Sequence, residues 1–255
     1  MIMLPNLLKA TLLFFTLATF SACEEESIAS TPNTGEQEYF PLSIGQTKTY
    51  EVDSILLLQE VSGTVYDTAR LTVQEILQDT FIAADGRLWY RGERYEKDRD
   101  APDSEYRITR TFTVSTDAQV ALRSENNLSF TKLVFPARTG ERWDGNGDFD
   151  EFRQFAVGGE FLDIYAGWET FYQTVDSTAD DRRFLRVEQA QVDNVIDLRQ
   201  AYEVYETGVG LVEKFLDARH TQCQVCCGGD TAPCIDLPWD EKAEKGFILR
   251  QRLIE

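Results

Sequence analysis

Residues 105–116 read Glu-Tyr-Arg-Ile-Thr-Arg-Thr-Phe-Thr-Val-Ser-Thr, and in this run Tyr106, Ile108, Phe112 and Val114 alternate with polar neighbours. An apolar residue at every second position is the pattern of a half-buried strand, because successive side chains on an extended backbone point to opposite faces. The same period recurs at Leu71 and Val73, and Leu185 and Val187 carry it in RRFLRVEQ. Turn residues punctuate these runs at Ser62-Gly63, Asp85-Gly86, Asp144 to Gly147, Gly158-Gly159 and Thr207-Gly208. Short strands with regular turns predict a mainly β fold: an antiparallel, strongly curved sheet or half-barrel, with little helix outside the leader. Only residues 70–77 and 194–206 compete as helices, and strand is the preferred reading for both.

The segments 39–50 and 133–145 share Phe-Pro followed by Gly four residues after the proline. Proline lacks the ladder donor and marks a strand edge, and glycine permits the sharp turn into the next strand. The echo leaves two readings open: two related halves, or two strand-entry turns built from the same chemistry.

At the start of the chain, Lys9 precedes an apolar stretch from Ala10 to Phe20 and then Ser21-Ala22-Cys23. Eleven such residues fall short of the ~20 a membrane-spanning helix needs, so 1–22 reads as a secretory signal. Removing it leaves 233 residues, enough for one large domain or two small ones. Residues 23–38 are acidic and rich in Ser, Thr, Pro and Gly, a composition expected of a flexible tether. A single antiparallel β domain is expected over 39–255, with a Cys-rich loop at 220–238. The whole chain holds 44 Asp and Glu against 25 Lys and Arg, a formal net charge of −19. A surface so negative repels phosphate backbones and anionic headgroups, which argues against nucleic acid as a partner.

Phe20-Ser21-Ala22-Cys23 resembles the lipobox of bacterial lipoproteins, with Phe20 where Leu is commonest. The resemblance implies lipid attachment at Cys23, and acyl chains hold a globular protein to a bilayer without a transmembrane segment. Glu24-Glu25-Glu26 resembles the surface-export signal of Bacteroidota lipoproteins; an ordinary acidic tether is the alternative. Three further stretches look like signposts of small β-rich lipoproteins of the same phylum: Tyr39-Phe40-Pro41-Leu42-x-x-Gly45, Phe135-Pro136 with Gly140 and Trp143-Asp144-Gly145-Asn146, and Tyr205 with Gly208-Val209-Gly210-Leu211-Val212. Lys48 departs from the pattern, standing where an aromatic is usual. By this resemblance the address is the outer membrane, lipid-anchored, facing the periplasm or the exterior; no activity is implied.

Cys223, Cys226, Cys227 and Cys234 fall within twelve residues. An even number in an exported protein reads as two disulfides, whereas His220 with the four thiols is the competing zinc reading and thiol exchange a third. Asp144, Asn146, Asp148 and Asp150 place oxygens at alternate positions, but Phe149 and Phe155 fall where an EF-hand needs Gly and Glu. A hairpin is therefore preferred there, with a non-EF calcium site as the alternative. No cofactor is expected. The nucleophile elbow, the Walker loop, HExxH and the dinucleotide fingerprint do not occur, so catalysis has no motif to carry it. Trp89, Tyr90, Trp168 and Tyr172 are the candidates for stacking on a sugar or other ligand, against a core role. The function expected is that of a lipid-anchored envelope protein with a binding or structural role and a membrane, an envelope protein or a glycan as partner. Its alternatives are a glycan- or ligand-binding accessory protein and a carboxylate-dependent hydrolase.

Overall fold

The period-two runs become strands of one twelve-stranded antiparallel sheet. The computed structural model describes residues 37–60, 63–101, 103–177 and 182–254, all within one compact unit. The leader 1–22, Cys23 and nearly all of the tether lie outside the described residues. The strands are β1 (Thr47–Glu60), β2 (Gly63–Ile82), β3 (Leu88–Asp98), β4 (Arg107–Thr116), β5 (Val120–Glu125), β6 (Leu128–Val134), β7 (Arg142–Trp143), β8 (Phe155–Val157), β9 (Glu160–Leu162), β10 (Phe171–Ser177), β11 (Arg183–Asp193), β12 (Asp197–Glu206), β13 (Gly210–His220) and β14 (Lys245–Leu253). The sheet runs β6-β5-β4-β3-β2-β1-β14-β13-β12-β11-β10-β7, with β8 and β9 forming a separate hairpin. Both stretches that compete as helices are strand: 70–77 lies in β2, and residues 197–206 are β12.

The expected curvature reaches further than a half-barrel, to near closure. The edge strand β6 meets the opposite end of the sheet where Thr131 N–H donates to the Gly145 carbonyl at 2.9 Å. Trp143 Nε1 donates to the Thr131 carbonyl at 2.7 Å across the same seam. Register shifts at Leu77/Asp79, Arg94/Tyr95, Ala121/Leu122, Glu188/Ala190 and Val204/Tyr205 supply local bending and twist. The two Phe-Pro segments do act as strand entries: Gly45 and Gly140, at φ 81° and 97°, turn the chain into β1 and β7.

The two halves of the interior differ. One part of the lumen is filled by Leu56, Phe130, Leu133, Leu185, Val187, Ala201 and Leu216. Residues 144–168 fold across this half and insert aromatics: Tyr165 lies 4.8 Å from Trp168 and 5.1 Å from Phe155, edge to face, and Phe149 meets Phe130 at 5.2 Å. The other half, where β1 begins and β14 ends, holds charge.

Candidate functional site: a charged cavity in the barrel

One rung of cross-strand neighbours runs Lys48 on β1, Glu75 on β2, Arg94 on β3 and Arg110 on β4. On the far side Glu203 of β12 opposes Lys214 of β13, which opposes Gln251 of β14. With Arg123 and Glu125 of β5 and Lys132 of β6, these side chains line a cavity of about 140 Å³, room for several waters or a compact organic group. Six of the chain's 25 basic residues face it, against three acidic ones. Phe40, Pro41, Leu42, Leu77, Phe112, Val114, Leu211 and Leu249 provide the apolar part of the wall, and Tyr50 and Tyr205 bridge the two kinds of surface.

Most of these charges are paired through space rather than along a strand. Glu75 accepts from both terminal nitrogens of Arg123, at 2.7 and 2.9 Å, and from Arg94 at 3.2 Å. Arg123 also donates to Glu125 through Nε at 3.0 Å, and Arg94 to Glu96 at 2.7 Å and Gln251 at 3.4 Å. Glu203 accepts from Lys132 and from the Tyr205 hydroxyl, both at 2.6 Å, with Lys214 at 3.8 Å. Bidentate and charge-assisted contacts of this kind are the strong hydrogen bonds, and they offset the desolvation of the buried ions.

Electrostatics follow from these contacts. Burial alone raises the pKa of Glu75, but the Arg123 and Arg94 guanidinia overcome it and hold the carboxyl at about 2. Glu125 and Glu203 are likewise held down against burial, by Arg123 and by Lys132 respectively. A glycosidase-type acid needs the opposite, a carboxyl pushed up so that it keeps its proton. None of the three cavity carboxyls is shifted in that direction. Lys48 differs from its neighbours: among the described residues it has no hydrogen bond or ion pair, and burial lowers its ammonium to about 8 despite Glu75 nearby. A Cβ on Gly210 would lie 2.3 Å from Lys48 Nζ and 3.3 Å from Pro41, so the bare glycine makes room for the ammonium. Two of the sequence signposts therefore meet here: 39–45 and 205–212 form the cavity rim, with Phe40 6.1 Å from Tyr205 and Gly208 N–H bonded to the Glu38 carbonyl. The third, 135–146, lies at the barrel seam.

The residues proposed from sequence for ligand stacking, calcium and disulfides lie elsewhere. Trp168 is 1% exposed and cannot serve as a stacking platform; it belongs to the aromatic core. Tyr90 packs toward Leu77, Phe112 and Val114, whereas adjacent Trp89 faces the other side of β3 opposite Phe81. Tyr172 lies under the Arg142 guanidinium, 5.3 Å from its ring centre. The four aromatics thus form no common face. Of the calcium candidates, Asp144, Asn146 and Asp150 line one open pocket with Glu151 and Glu169; Asp144 and Asp150 accept from the N–H groups of Asn146 and Phe152, and Asn146 is buried. Among the described residues, Cys226, Cys227 and Cys234 are the one group of potential metal ligands whose donor atoms lie within 4.8 Å of one another.

In the cysteine segment the structure departs from two disulfides. Cys223 and Cys234 are bridged, while Cys226 and Cys227 are thiols with Sγ atoms 2.8 Å apart. With the outer pair joined, the remaining partners are sequence neighbours, whose pairing is geometrically unfavourable. Burial and Cys227 push the Cys226 thiol up to about 11. His220 takes no part in the cluster; its Nδ1 is 2.9 Å from Asp197 Oδ1. The loop is held instead by buried Glu244, which accepts from the N–H groups of Gln222, Gln224 and Val225 at 2.8, 2.5 and 2.8 Å. Intact mass after reduction is expected to rise by two hydrogens, with iodoacetamide labelling Cys226 and Cys227 in the unreduced, unfolded chain. A rise of four hydrogens would mean that the second pair also forms a bridge.

No protein-family model matches the chain, and no curated protein matches it. Fold and site together define an almost closed antiparallel β-barrel with an aromatic-filled half and a cation-rich cavity in the other. The sequence motifs touched the rim, at Phe40, Pro41, Leu42, Lys48, Tyr205 and Leu211, but Glu75, Arg94, Arg110, Arg123, Glu125, Lys132, Glu203 and Lys214 were not singled out as site residues. A signal was present: Lys48, Glu75, Arg110, Lys132 and Glu203 each share a strand face with apolar residues two positions away.

Proposed function

We propose that the protein is a lipid-anchored outer-membrane protein whose barrel binds a small ligand. The observation that carries the binding reading is the cavity wall, which joins apolar and aromatic surface to convergent polar groups, as ligand sites do. The anchor rests on the leader and lipobox resemblance at Cys23, and the acidic run behind it supports an address at the cell surface. A purely structural envelope role has less support, because a structural barrel gains nothing from leaving a cavity among its buried ions.

Two experiments test the two parts. Palmitate labelling is expected in the native chain and absent after Cys23→Ala; equal labelling would overturn the anchor. For the cavity, the full chain is titrated with N-phenyl-1-naphthylamine and with 8-anilinonaphthalene-1-sulfonate, which share one ring system with and without a sulfonate. At least one is expected to saturate at one molecule per chain, and Leu42→Trp, which fills the rim, to abolish it. Saturable binding by neither, or binding unaffected by Leu42→Trp, would overturn the reading.

A further inference from the structure

Inside the barrel the sign of the protein's charge is inverted. The chain as a whole carries −19, yet the cavity gathers six cations and three carboxylates. Glu96, bonded to Arg94 from just outside the lining, still leaves six against four. Three of the cations are matched closely: Arg94 and Arg123 on Glu75, and Lys132 on Glu203. The others are not. Lys214 stands 3.8 Å from Glu203, Arg110 stands 3.9 Å from Glu96, and Lys48, across the strand pair from Glu75, makes no hydrogen bond or ion pair among the described residues. These three side chains are half-buried rather than sealed from water, and a cation partly withdrawn from water without a close counter-ion favours an incoming anion. Beside them lies a wall of Phe40, Leu42, Leu77 and Phe112, and the Phe112 ring carries the Arg123 guanidinium 4.1 Å from its centre. Charge on one side and apolar surface on the other give the occupant two unlike ends.

We propose that the cavity takes an organic anion, a carboxylate, sulfonate or phosphate borne on a compact apolar or aromatic body, with the anionic group at the Lys48 ammonium and the body against Phe40, Leu42, Leu77 and Phe112. This rests on the ligand-binding reading above and specifies its chemistry. The chain as a whole carries −19, so selectivity for an anion arises within the cavity rather than from long-range steering. Neutral molecules of the same shape would leave the cations unmatched, and cationic ones would add to the excess.

The test compares three compounds on the full chain by fluorescence and calorimetry: 8-anilinonaphthalene-1-sulfonate, neutral N-phenyl-1-naphthylamine, and the cation N-(1-naphthyl)ethylenediamine. The sulfonate is expected to bind about tenfold or more tightly than the neutral compound, a margin that one charge-assisted contact supplies. The cation is expected not to compete. Lys48→Met should bring the sulfonate down to the affinity of the neutral compound and leave the latter unchanged, and Lys48→Arg should keep the preference. Equal or tighter binding of the neutral compound, competition by the cation, or an unaltered preference in a folded Lys48→Met chain would overturn the anion assignment while leaving the cavity as a ligand site. Binding by none of the three would instead overturn the ligand-binding reading. The comparison among ligands uses the native chain alone, so it decides the matter even if the variant does not fold.

Discussion

Glu203→Leu is expected to lower the free energy of unfolding by about 3–5 kcal/mol, the range seen when one member of a buried ion pair is removed. Glu203 is 1% exposed, and its two oxygens accept from Lys132 and Tyr205 at 2.6 Å each. The substitution strands the Lys132 ammonium, which is itself buried and has Phe130 as its other close neighbour, 5.0 Å from the ring centre. That lysine must then stay charged without a counter-ion or give up its proton, and both are unfavourable. Adding Lys132→Met removes the stranded charge, so the double variant should recover more than half of the loss. Urea unfolding of the native chain, both single variants and the double variant closes the cycle. Strictly additive losses would show that the pair is not coupled.

Acid should destabilise the barrel more steeply than its surface carboxylates alone would. Glu75 titrates near 2 in the folded chain against 4.5 for an unperturbed group, because Arg123 and Arg94 outweigh the effect of burial. The folded pKa lies below the unfolded one, so its contribution is complete above about pH 4.5 and disappears as the pH falls toward 2. A displacement of that size corresponds to about 3 kcal/mol from this residue. Glu125 and Glu203, also held down, act in the same direction. Glu75→Gln is expected to be less stable at pH 7 but to lose less between pH 5.5 and pH 3. Urea midpoints across that interval measure the difference; parallel pH curves for the two proteins would show that Glu75 does not carry it.

The network explains why a barrel with so charged a lumen holds together. Its ions are not scattered: Glu75 joins β2 to β3 and β5, Glu203 joins β12 to β6, and the Arg94–Gln251 contact joins β3 to β14. Apart from the β2–β3 contact, the same contacts that satisfy the charges therefore tie together strands that do not neighbour one another in the sheet. They also leave Lys48 and Arg110 without close carboxylate partners at one side of the cavity, which is where an incoming anion gains most.

Period-two alternation, the turn residues and the Phe-Pro-x-x-x-Gly entries were enough to specify an antiparallel β domain, because strand geometry and turn preference are local properties of the chain. The tempting helical stretch 194–206 shows why local reading needs the strand period: Ala201, Glu203 and Tyr205 share the buried face of β12, and one of the three is a carboxylate. What tertiary structure alone decided was closure of the sheet, the single Cys223–Cys234 bridge, and the assignment of Lys48, Glu75, Arg94, Arg110, Arg123, Lys132 and Glu203 to the lumen. The reason is physical. An ionic side chain belongs inside only if a partner stands opposite it, and here the partners come from strands as far apart as residues 94 and 251.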